Sequence, residues 1–180
     1  MYPLDPVVGA IICGSFAVLF GVACAHKLRD LSRFGATLTQ YRLLADGLVR
    51  PASLLLPALE GLVAAGLLIS AVREPASLLG AALLLTYAIA MGLNLSRGRR
   101  QLQCGCFGPR GGGVVSASLV SRNVLMALVI ALAGAIPWTG RAVGWLDVGT
   151  ALFGVAVFAL LYVAANGLLA SAGPYPPHRG

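Results

Sequence analysis

Cys104 and Cys106 stand one residue apart in the stretch RGRRQLQCGCFGPRGGG, residues 97–113. Thiolate, not thiol, is the nucleophile in disulfide exchange, and Arg99, Arg100 and Arg110 nearby favour the thiolate. A first thiolate can attack a partner disulfide, and a second cysteine one residue away can resolve the mixed disulfide. A disulfide within the pair closes a tight ring, so it should be strained and easily reduced. Gly105 and Gly108 let the chain turn sharply and let a partner come close. A metal site and a structural clip are the competing uses. Two cysteines are too few for a closed zinc site, and His26 and His178 are the only histidines. Redox chemistry is therefore the favoured reading, and no metal site is expected.

The other two cysteines, Cys13 and Cys24, lie eleven residues apart in an apolar stretch. On a helix they face the same way, about 16 Å apart along the axis, too far to bridge each other. Cys13 reads as a small packed hydrophobe. Cys24 lies nearer the end of its span and could meet the C-x-C loop. Glu60 sits within an apolar run, where a carboxylate is costly and usually faces the bundle interior. It could carry a proton in a redox step, or hydrogen-bond a neighbouring helix in a purely structural role. Arg122 and Asn123 open another apolar run, with Ser116 or Ser118 as its N-cap. Arg122 could snorkel to the interface, pair with a carboxylate or activate a thiol. Lys27 and Asp30, three residues apart, read as a simple surface pair.

Composition says what must position these groups. Of 180 residues, 58% are hydrophobic and only 11% charged, with a mean hydropathy of +0.87. Soluble domains carry about 25% charged residues, so lipid is the expected solvent. Five runs are long enough to cross a bilayer, at about 7–25, 51–72, 75–95, 119–138 and 143–170. Pro51 and Pro75 are expected at helix starts, where a missing N–H costs little, and Pro57 should kink the second span. The fold expected is an all-α polytopic membrane bundle, four core spans plus a fifth. Residues 1–170 would form one integral-membrane domain and 171–180 a disordered tail.

Eleven of the thirteen Lys and Arg residues fall in 26–50, 96–122 and the tail. The positive-inside rule then puts the N-terminus outside and the C-terminus and C-x-C loop inside. The formal charge of +7 is explained by those loops, so no nucleic-acid partner is expected. The N-terminus lacks a basic n-region, so no cleaved signal peptide is expected. Leu28, Leu31, Phe34, Leu38, Tyr41, Leu44 and Leu48 recur every three or four residues after the first span. They predict an amphipathic helix in the membrane interface or on the bundle's end. Asn166, near the end of the last span, could join helices.

Taken together, "HKLRDLSRFGATLTQYRLL", "LPALEGLVAAGLL", "LNLSRGRRQLQCGCFG" and "SLVSRNVLMAL" resemble the methylamine-utilisation MauE family, which is related to DoxX-type membrane proteins. The resemblance covers about residues 7–137. Cys104, Cys106, Phe107 and Gly108 match its CGCFG, and Arg97, Gly98, Arg122 and Asn123 match the flanks. Lys27, Asp30, Tyr41, Pro57 and Glu60 match its first half. The resemblance implies a redox-associated inner-membrane protein acting beside a thioredoxin-like partner. It also implies a part in maturing methylamine dehydrogenase, whose small subunit needs disulfides formed outside the cytoplasm.

That implied role lies outside, whereas the charge count puts the C-x-C inside. Either electrons cross the membrane, with Cys24 and Cys13 as stations, or the topology is inverted. Three rival roles follow from the same residues. A quinone-linked oxidoreductase, with quinone as cofactor, needs a lipid-accessible pocket near Arg122 and Glu60. A non-enzymatic assembly factor would use the C-x-C as a clip. A transporter of metal or small molecules would depend on Cys13 and Cys24.

Overall fold

The computed structural model describes residues 3–98 and 116–171. Their elements, in order, are α1 (Pro6–Arg29), α2 (Leu31–Tyr41), α3 (Asp46–Leu67), a single 3-10 turn (Ser70–Val72), α4 (Arg73–Ser96), α5 (Ala117–Ala135) and α6 (Trp145–Ser171). Among the described residues there is no strand, only an isolated bridge between Leu4 and Trp138. Five helices are long and apolar enough to cross a membrane. Leu54, Leu62, Ile89, Leu125 and Leu152 are among many large apolar side chains left exposed. A soluble monomer rarely exposes so much apolar surface, so the chain is a multi-pass membrane protein of the all-α class expected.

Local signals explain where the helices begin and end. Asp5 caps α1: its Oδ1 accepts from Val7 N at 2.8 Å, and Pro6 follows at the first helical position. The chain breaks at Asp30, whose Oδ1 accepts from Arg33 N at 2.9 Å and so starts α2. Asp30 is therefore a cap rather than Lys27's surface partner. The break also divides the predicted amphipathic stripe: Leu28 lies in the last turn of α1 and Leu48 belongs to α3, both exposed, while Phe34 and Tyr41 are the buried residues of α2. α2 closes at Arg42 in the left-handed region, φ 51°. α4 closes with Gly98 at φ 73°, its N–H on Leu95 O at 3.0 Å. That left-handed position suits glycine.

Pro51 is not at a helix start. α3 begins five residues earlier, at Asp46, and runs on through both Pro51 and Pro57. Neighbouring helices and local adjustment let membrane helices keep such prolines. Pro75, by contrast, lies in the first turn of α4, as expected. Ser116 takes the N-cap position of α5, though its hydroxyl bonds Ser118 Oγ at 2.8 Å rather than the helix backbone.

α1, α3, α4 and α5 meet at Gly80. A Cβ there would lie 3.0–3.2 Å from Ile130, Val63 and Phe20, one from each other core helix. α4 and α5 approach closely at Gly134, where a Cβ would fall 1.7 Å from Ser77 Oγ. Small residues permit this backbone approach, the usual basis of helix packing in lipid. α6 packs chiefly on α1 and exposes Phe153 and Leu160, so it is a fifth span outside a four-helix core. A second cluster, Tyr41, Met91 and Leu119, joins α2 to the end of α4 and the start of α5.

Candidate functional site

The buried face of α1 runs Phe16, Phe20, Ala23, Lys27, a helical stripe whose last member is charged. The buried face of α3 runs Ser53, Pro57, Glu60, Val63. Where the two faces meet, Lys27 Nζ donates to Glu60 Oε1. The side chains are 3% and 1% exposed, respectively. Tyr87, from α4, completes the group: its hydroxyl donates to Glu60 Oε1 at 2.7 Å and accepts from Lys27 Nζ at 3.2 Å. The ammonium also lies 4.7 Å from the centroid of the Tyr87 ring and 5.1 Å from that of Phe34. Two aromatic faces, a hydroxyl and a carboxylate thus replace part of the water that a lysine requires. Charges taken out of water must be paired and hydrogen-bonded in this way.

Glu60 also borders a small cavity. Its Oε2 is buried without a hydrogen-bond partner among the described residues. Glu60 lines this cavity, of about 20 Å³, with Arg122, Asn123 and Tyr162, and it is roomy enough for one water molecule (~10–15 Å³ needed). The Arg122 guanidinium stacks 5.1 Å from the Tyr162 ring centroid. Asn123 is buried, its amide donating to Leu119 O at 2.8 Å. Glu60, Arg122 and Asn123, picked out separately in the sequence, are therefore brought together around one small space. That space is too small for a quinone ring. A larger cavity of about 270 Å³ opens beyond Lys27 and Tyr87, between α2, α3 and α4.

Lys27 departs from the surface pair that its spacing predicts. Three residues before Asp30 it looked like half of a surface pair, yet it is buried and paired with Glu60. The signal was its register: Lys27 continues the apolar stripe of α1. Tyr87 carried no signal of its own within an apolar run. Cys13 is buried and free, and Cys24 is half-buried and free. A Cβ on Gly61 would lie 3.3 Å from Cys24 Sγ, so Cys24 packs on α3 one residue from Glu60. Arg97 forms the C-cap of α4. Cys104, Cys106, Phe107 and Gly108 lie outside the described residues.

At the opposite end of the bundle, Arg141 binds Asp5 at 2.9 Å and Asp147 at 2.9 Å. Leu4 N bonds Pro137 O at 2.9 Å and Thr139 N bonds Leu4 O at 2.8 Å. The chain before α1 is thereby tied to the α5–α6 connection. The Arg141 hydrogen bond, followed by that from Val7 N, holds the Asp5 carboxyl below the usual aspartate range.

Fold and site together define a polytopic α-helical membrane protein with a buried Lys–Glu–Tyr cluster between its core helices. The family model for "Methylamine utilisation protein MauE" matches residues 5–138. The chain is also similar to the methylamine utilization protein MauE of Paracoccus denitrificans, 38% identical over 83% of this chain and 81% of the relative. Its counterpart in Paracoccus versutus is 36% identical over 90% and 87%, respectively. That of Methylophilus methylotrophus is 30% identical over 90% and 86%. The chain belongs to the MauE family. No solved structure matches it significantly. The family match spans α1 to α5 and stops at 138, before α6.

Proposed function

We propose that this protein supports thiol–disulfide redox maturation of extracytoplasmic proteins, exchanging through Cys104 and Cys106 with a thioredoxin-like partner at the inner membrane. The family match carries this reading, because residues 5–138 run through the CGCFG loop. The relatives' names point to methylamine utilisation as the process. Methylamine dehydrogenase is the client that the process suggests.

In the proposed step, one thiolate of the pair attacks a partner disulfide, forming a mixed disulfide and releasing a partner thiolate. The second cysteine then attacks the mixed disulfide. The partner leaves as a dithiol, two electrons richer, and Cys104 and Cys106 are left oxidised. Run backwards, the same step oxidises a partner dithiol. Arg97 and the loop arginines favour the thiolate, and Phe107 and Gly108 shape the approach to it. Cys24 stands as a relay thiol, and Glu60 with Arg122 and Asn123 as a proton-handling group.

In this arrangement the N-terminus lies outside and the C-terminus inside, following the arginine-rich loops. Thiol alkylation gels test the reading. The wild-type chain should shift in mobility between oxidised and reduced membranes, and Cys106→Ser should abolish that shift. An unchanged shift in the variant would exclude exchange at this pair.

A further inference from the structure

We infer that the cavity beyond Lys27 and Tyr87 is a binding site for a lipid-soluble molecule bearing a neutral carbonyl acceptor, its body in the apolar chamber and its carbonyl on Lys27 Nζ. The inference does not depend on the thiol reading. The chamber's volume, about 270 Å³, lies just under the ~300–1,000 Å³ of ordinary small-molecule sites. Phe34, Leu38, Leu56 and Met91 supply apolar wall; Lys27 and Tyr87 also line it, and the hydroxyls of its Thr37 and Thr86 are spent on Arg33 O and Ala82 O. Such a chamber suits an apolar body held by few polar contacts, not a cluster of waters, each needing two to four polar partners.

The head group follows from counting donors. An ammonium carries three N–H bonds. Among the described residues, Glu60 Oε1 and Tyr87 Oη accept two of them. Tyr87's own O–H is given to Glu60. The cluster thus has a donor left for an acceptor in the chamber that Lys27 borders. Glu60 already balances the lysine's charge, and a second anion would meet that carboxylate in a desolvated site. A neutral acceptor avoids the repulsion, and a carbonyl on a hydrophobic body combines both requirements. Two membrane sources share this chemistry: the acyl ester of a lipid and a ring quinone.

The test uses the purified full chain in detergent micelles and reads thermal stability against ligand concentration, since a ligand that binds only the folded state raises Tm. The probes are decylubiquinone, dioctanoylglycerol and, as the carbonyl-free control, decane. At least one carbonyl probe should raise Tm saturably, and decane should not. Ala52→Phe, which fills the chamber from α3, should require at least tenfold more probe for the same rise. Ala90→Phe does the same from α4 and carries the test if the first variant fails to fold. A response to decylubiquinone alone identifies a quinone, and one to dioctanoylglycerol alone a lipid ester. Responses to both support the shared chemistry. The inference is overturned if neither carbonyl probe raises Tm, if decane does so equally, or if the filled chamber binds as the wild type does.

Discussion

Lys27, Glu60 and Tyr87 form a unit whose members depend on each other. Removing one partner of a buried ion pair leaves an uncompensated charge, at a cost of ~3–5 kcal/mol, whereas replacing both with apolar groups is often tolerated. Glu60→Leu or Lys27→Met alone should therefore destabilise the chain by about that amount. The double variant should lose less than either single change, as measured by denaturant unfolding in detergent. Equal and additive losses would show that the two side chains are not coupled. At this scale the sequence was only partly informative. A lone carboxyl in an apolar run identifies Glu60 as an interior residue without naming its partner. The partner lies 33 residues away, and its proximity to Asp30 suggested a local pair instead. Only the register of Lys27 on the stripe of α1 pointed inward.

Helices in lipid gain little from apolar burial against one another, so close backbone fit decides how they pack. Among the described glycines, Gly134 against Ser77 is the tightest such fit: a Cβ there would fall 1.7 Å from Ser77 Oγ and 2.6 Å from its Cβ. Gly134→Ala should separate α4 from α5 and destabilise by about 1–3 kcal/mol, the usual cost of overpacking. Adding Ser77→Gly should recover part of the loss, and thermal unfolding of the two variants checks it.

The end clamp makes a different prediction. Asp5 is held below its ordinary range by Arg141, so its contribution to stability is fully present above the unfolded-state value. It is lost as pH falls through the lowered folded-state value. Asp5→Asn keeps a good N-cap and removes the charge. The Tm difference between wild type and Asp5→Asn should stay constant from pH 7 to about 5 and shrink only in stronger acid. A difference that vanishes by neutral pH would exclude the clamp. Helix number and type were legible from run lengths, and so was a separate short helix after the first span, although Leu28, Leu44 and Leu48 of the predicted stripe fall outside it. The start of α3 was not, because the prolines suggested a boundary that neighbouring helices override. Nor was the Gly134–Ser77 contact, which depends on which faces of two helices meet.

Across the whole molecule, apolar composition and five long runs sufficed to read an all-α membrane bundle. The CGCFG loop with its flanks sufficed to read the family, and both readings stand. The bundle gives that loop a defined frame. α4 ends at Ser96 and is followed by Gly98 in the left-handed region, Ser116 caps α5, and the Tyr41–Met91–Leu119 cluster holds both ends beside α2. The proposed function adds to this frame a dithiol that exchanges with a partner. A mixed disulfide is the intermediate that this chemistry cannot avoid, and removing the resolving cysteine should trap it. The most direct measurement is non-reducing gel analysis of membranes carrying Cys104→Ser, Cys106→Ser or both. One single variant should accumulate a covalent adduct with a thioredoxin-fold protein that dithiothreitol dissolves, and the double variant should form none. If neither single variant forms an adduct and client disulfides still mature in the double variant, thiol exchange at Cys104 and Cys106 is contradicted.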